Sequence, residues 1–158
     1  MNYYIKQRFS LWNDRFSIYD GQGNEVYVVE GEVFTFGKKL HLYDTLGNEL
    51  AFIHEKALSF KPRFYIYRAG IDTVEVVKEF TFFKPEYTVN GLGWKVRGDF
   101  WDHEYTVDDG YNTVVSVTKR WFTLGDAYEM SISEGFDTVA ALAVVLVIDA
   151  CIDAQERG

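Results

Sequence analysis

The densest set of groups able to bind a metal or move a proton is Asp99-Phe100-Trp101-Asp102-His103-Glu104. Side chains alternate along an extended strand, so Asp99 and His103 would share one face with Trp101 between them. Asp102 and Glu104 would take the other. Two oxygen or nitrogen donors on a face do not make a metal site, and no second histidine lies nearby in sequence. The expectation is structural: polar residues on a strand and its turn.

The remaining reactive residues are scattered. His41 and His54 lie in alternating runs, where a half-buried or surface imidazole is the ordinary case. No Gly-x-Ser-x-Gly elbow occurs among the serines. Cys151 stands in an apolar stretch with no cation beside it in sequence to lower its pKa, and is expected to be a small buried hydrophobe. Gly21-Gln22-Gly23 and Gly91-Leu92-Gly93 lack the third glycine and the strand-helix setting of a dinucleotide fingerprint, so they are expected to be turns. Trp12, Trp94, Trp101 and Trp121 are expected to pack the faces of a sheet. Asp149 and Asp153, one helical turn apart, are expected at a solvated helix exit. No catalytic residue, cofactor or metal site is assigned.

The formal net charge is -8 and the pI about 4.8, a balance that repels phosphate backbones and anionic membranes and argues against nucleic acid as a partner. Against that field stand three local basic pairs: Lys38 with Lys39, Lys61 with Arg63, and Lys119 with Arg120. These six residues are the candidate contacts for an anion or a lipid headgroup.

The elements that would position such groups follow a repeated grammar. An alternating apolar run leads into a Tyr-Asp turn with glycine, and a second alternating run follows. Phe16 to Val26 is the first instance and Leu40 to Leu50 the second, matching at Tyr-Asp and at Gly-Asn-Glu. Looser copies run from Phe64 to Lys78 and from Tyr105 to Val117. Asp can accept hydrogen bonds from its own downstream backbone, and Gly or Asn tolerates positive φ, so these residues reverse the chain between strands. Further strand-like runs at Tyr3 to Phe9, Phe80 to Phe83, Trp94 to Val96 and Tyr128 to Ile132 bring the expected count to roughly twelve.

The last segment breaks the pattern. Thr138 to Ile148 carries no charge and is apolar on every side, with Asp137 placed as an N-cap. A helix is predicted, continuing through Ile152 for about four turns. Asp149 and Asp153 interrupt it too early for a transmembrane span, leaving the protein's own interior as its home. A dozen strands with alternating faces can curl into a barrel that receives it.

One domain is expected over residues 1–158. A single cysteine rules out an intramolecular disulfide and fits a reducing cytoplasm, and Met1 to Trp12 lacks the apolar core of a secretory signal.

Several segments together resemble the LURP-one-related (YxjI-like) proteins of the Tubby C-terminal-domain superfamily. They are Tyr4-Ile5-Lys6-Gln7-Arg8-Phe9-Ser10, the Tyr-Asp-x-x-Gly-Asn-Glu hairpins, Val96-Arg97-Gly98-Asp99-Phe100, Lys119-Arg120-Trp121-Phe122, Asp126-Ala127-Tyr128 and Leu142 to Asp149. The resemblance implies a closed twelve-stranded β-barrel threaded by a hydrophobic C-terminal helix. It implies no settled activity, since Tubby proteins bind phosphoinositides and scramblases associate with lipids. The basic cluster of the former and the calcium-binding segment of the latter have no counterpart here. The expected function is therefore a non-enzymatic binding or scaffold domain. Peripheral binding of anionic phospholipid headgroups is the alternative, a protein partner is a further option, and a metal- or cofactor-dependent enzyme is remote.

Overall fold

A computed structural model describes residues 1–6, 15–32, 36–82, 84–122 and 125–157. Among them twelve strands precede one helix: β1 (Asn2–Lys6), β2 (Arg15–Asp20), β3 (Glu25–Gly31), β4 (Lys39–Asp44), β5 (Glu49–Glu55), β6 (Arg63–Arg68), β7 (Ile71–Glu79), β8 (Glu86–Asn90), β9 (Trp94–Asp99), β10 (Glu104–Asp108), β11 (Thr113–Phe122), β12 (Gly125–Ile132) and α1 (Thr138–Arg157). Each strand pairs antiparallel with its neighbours in sequence, and β1 pairs with β12 to close the barrel. The Met1 ammonium donates to the Ile132 carbonyl at 2.7 Å along that seam. Closure leaves no free sheet edge to recruit another chain.

The repeated turns work as their residues dictate. The Asp20 Oδ1 accepts the N–H groups of Gln22 and Asn24, both at 2.9 Å. Asp44 does the same with Leu46 and Asn48, also at 2.9 Å. Gly23 and Gly47 supply the positive φ values, 85° and 87°. The strand register shifts between Ile18 and Tyr19 and again between Leu42 and Tyr43, so each copy of the grammar carries a β-bulge beside its turn.

Inward residues alternate along the strands: Leu40 and Leu42, Phe64 and Ile66, Val74 and Val76, Tyr87 and Val89. They wrap α1, in which every residue from Ala140 to Asp153 is buried. Asp137 caps the helix by accepting the Ala140 N–H at 3.1 Å, while Arg68 holds its other oxygen at 2.5 Å. α1 extends over 20 residues, beyond the expected four turns. By length and composition it is apolar enough to cross a bilayer, so the two aspartates do not exclude a span on length. Burial inside the barrel is what gives the helix its place.

Two local expectations differ from the structure. Phe80 and Thr81 lie beyond the end of β7, Phe82 sits in a bend, and Phe83 is outside the described residues; the strand is instead Glu86–Asn90, which starts directly after Pro85. Proline cannot donate to a ladder, so pairing restarts beyond it. Asp99 to Glu104 is not one strand. β9 ends at Asp99, a turn occupies residues 100–103 with His103 at φ 55°, and β10 begins at Glu104. Of the run Tyr3 to Phe9, residues 7–9 lie outside the described residues, as does Trp12.

Candidate functional site

Because neighbouring strands are antiparallel, connections alternate between the two ends of the barrel. At one end sit the tight turns β2–β3, β4–β5, β6–β7, β8–β9 and β10–β11, and α1 enters there beside Arg68. At the other end lie the β3–β4, β5–β6, β7–β8 and β9–β10 connections, reached by the C-terminal part of α1. The two are called here the turn end and the loop end.

The loop end carries exposed large apolar residues: Phe36, Leu58, Phe60, Phe80, Phe82 and Trp101. Phe82 is 96% exposed and Trp101 68% exposed, so Trp101 does not pack a barrel face as expected; Trp94 does, edge-on to Phe136. The side chain of Trp121 is outside the described residues. The turn end exposes Leu46, Ile71 and Tyr111, with Met1 nearby.

The six sequence-derived basic residues all fall toward the loop end, but mostly as members of ion pairs. Lys38 lies 3.7 Å from Asp153 and donates to the Ala150 carbonyl at 3.2 Å. Lys61 reaches Glu79 at 2.5 Å, and Arg63 reaches Glu75 at 2.7 Å. Arg120 holds Glu129 at 3.1 Å, and the Arg120 guanidinium is held protonated above its usual range by that partner. Lys119 neighbours it on β11. Lys39 opens β4 and has no ion pair among the described residues. Lys56 and Lys84, which the basic-pair reading passed over, are exposed on the β5–β6 and β7–β8 connections.

A cleft of about 300 Å³ opens at this end between the β7–β8 connection and the β9–β10 turn. Lys78, Lys84, Tyr87, Asp99, Phe100 and Trp101 line it, together with the exposed Gln155 of α1. Phe100 is buried against the Tyr87 ring at 5.1 Å. Lys78 follows Val74 and Val76 in the inward phase of β7 and faces Tyr87 across the ladder. Burial pushes its amine below the usual lysine range, opposed only by the nearby Cys151 thiol. Cys151 is buried as expected, and burial pushes its thiol up to about 12. Cations do adjoin it, however: Lys78 and Lys38, brought by the fold from other strands, pull in the opposite direction and lose to burial. A lysine in the inward phase of a strand was the signal in the sequence that could have revealed this site.

Asp149 and Asp153 are 6% and 8% exposed, so they are not at a solvated exit. The barrel's loop end encloses that stretch of α1, and Lys38 supplies a counter-charge to Asp153. His103 is also buried, its ring tilted against Tyr128 with centroids 4.7 Å apart. On the outer wall, His41 bonds Glu49 and Glu32 and stacks on Phe52 at 4.8 Å. Among the described residues no three His, Cys, Asp or Glu side chains gather into a metal-binding group.

A closed antiparallel barrel built around a buried helix defines a class of fold rather than a reaction. Residues 1–149 match the model of the LURP-one-related family, and the chain belongs to it. It is 36% identical over 146 residues to the uncharacterized protein YxjI of Bacillus subtilis strain 168, covering 92% of this chain and 90% of that one. It is also similar to an Arabidopsis thaliana protein solved by X-ray crystallography, with a TM-score of 0.62 and 18% identity over 95% of this chain and 90% of the other. That last likeness concerns the fold alone. The fold fits the Tubby C-terminal-like arrangement that the resemblance implied.

Proposed function

We propose that the chain, as one domain over residues 1–158, is a non-catalytic binding module that meets its target with the loop end of the barrel. The observation that carries this reading is the set of exposed Phe36, Leu58, Phe60, Phe80, Phe82 and Trp101 on connections at that end. Apolar side chains gathered on one face mark an interaction surface. The helix occupies the barrel, with every residue from Ala140 to Asp153 buried.

The target that suits this surface is an anionic phospholipid membrane. Lys56 and Lys84 lie on the same connections and Lys39 opens β4 beside them, none with an ion pair among the described residues, and aromatic tips interleaved with lysine match the headgroup region of a bilayer. The six residues of the basic pairs would add headgroup contacts where their ion pairs exchange. A cytoplasmic location follows, with the anionic inner leaflet as the contact.

Sedimentation with phosphatidylserine vesicles tests the reading. The wild type is expected to pellet with vesicles at low salt and to be released by high salt. A Phe60→Ser/Phe82→Ser variant is expected to stay in the supernatant, while Leu46→Ser/Tyr111→Ser at the turn end pellets normally. Wild-type protein left in the supernatant would reject the membrane as target. Equal pelleting of both variants would reject the loop end as the contact surface.

A further inference from the structure

Lys78 is largely buried at the loop end, 6% exposed as a residue, with its amine opening on the cleft, and among the described residues no carboxylate or carbonyl is bonded to that amine. Its neighbours differ. Lys38 has Asp153, and Lys61 has Glu79. A partly desolvated ammonium without a counter-charge costs stability, and an apolar residue continuing the Val74 and Val76 phase would avoid that cost. The amine lines the cleft, so an entering anion is the partner that would relieve it. Lys84, which is exposed, provides a second cation in the lining, and Asp99 is the carboxylate there. Pro85, Phe100 and the exposed Trp101 give flat apolar walls, and the exposed Gln155 adds an amide to the lining. The volume, about 300 Å³, is at the small end of ligand pockets.

We propose that this cleft binds a small organic oxyanion, a phosphate or carboxylate carried on a flat apolar body, with Lys78 holding the anion, Lys84 closing over it and Trp101 covering the body. The inference deepens the loop-end reading, and the two fail separately: vesicle sedimentation reads the exposed aromatic residues, whereas the experiment below reads one amine.

The probe is pyridoxal 5′-phosphate, an aryl phosphate with an aldehyde. The free amine of a lysine adds to the aldehyde and loses water to give an imine, and borohydride then delivers a hydride to the imine carbon, fixing a secondary amine for peptide mapping. With the probe's phosphate drawn to Lys84, its aldehyde is expected to label Lys78 ahead of the exposed lysines, and phenyl phosphate, whose anion takes the Lys78 amine, is expected to protect it. Trp101→Ala alters an exposed side chain and leaves the core intact. It should weaken probe binding, and Lys84→Ala should weaken it by about tenfold or more, the worth of one charge-assisted contact. Lys78→Met, checked for an intact thermal melt, should remove the preferred label. Protection by phosphatidylinositol vesicles but not by phenyl phosphate would assign the same oxyanion to a lipid headgroup. Labelling spread over the surface lysines, or a Lys78 label that neither competitor reduces, would overturn the site.

Discussion

The chemistry of single residues here is governed by what surrounds each one. Burial acts on the His41 imidazole to lower its pKa, but bonds to Glu49 and Glu32 outweigh it, and the net shift is upward from 6.5. A raised folded-state pKa contributes stability that is full below the unfolded value and is lost as pH rises through the folded value. Urea unfolding from mildly acidic to mildly alkaline pH should therefore show stability falling, with a shallower fall in His41→Gln. An unchanged slope would mean that the two glutamates do not hold the charged ring. Cys151 is the opposite case, a group whose burial outweighs its cations. Its reaction with a thiol reagent should be negligible in the folded state and should follow global unfolding as urea is added. Rapid reaction in native buffer would show that the loop end opens locally around α1.

At the scale of elements, the barrel relies on a few backbone positions that only glycine can fill. Gly98 on β9 pairs with Tyr105 at φ 149°, and a Cβ there would lie 2.4 Å from the Glu104 carbonyl oxygen and 2.5 Å from the Tyr105 Cα. Both obstacles are backbone and cannot rotate away. Gly98→Ala should therefore lower stability by about 3 kcal/mol or more, through strain added to overlap. Thermal denaturation would measure this, and a melt within a degree or two of wild type would show that β10 can shift. The same substitution should disturb the cleft, because Gly98 and Asp99 lead straight into Phe100 and Trp101.

The whole molecule depends on α1 filling the barrel, since the inward faces of twelve strands have no other apolar partner. Leu146 is 1% exposed, and Leu146→Ala should cost about 2–5 kcal/mol. Leu146→Asp should be worse, placing a carboxylate among apolar groups. A chain ending at Gly135 should aggregate rather than form a smaller stable domain. A monomeric product with an undiminished cooperative melt would mean that the barrel does not need its helix.

Much of this architecture was legible along the chain because its causes are local. Alternation, the Tyr-Asp turns and the uncharged run after Asp137 each act within a few residues, so the strand hairpins and the helix could be read directly. The count of twelve was right although one member was misplaced. Phe80 to Phe83 has strand composition, and only the pairing of Glu86–Asn90 with both β7 and β9 decided which run joins the sheet. Long-range facts were not legible. Asp149 and Asp153 look like a polar exit in sequence, yet the barrel wall surrounds them, and Lys38 reaches Asp153 from a distant loop. Lys78, Tyr87, Trp101 and Gln155 meet only because antiparallel closure brings alternate connections and the far part of the helix to one end. Sequence determines the elements through short-range hydrogen bonding and hydrophobic period. The cleft and its buried amine exist only once the sheet has closed, because burial and encounter are properties of the assembled surface.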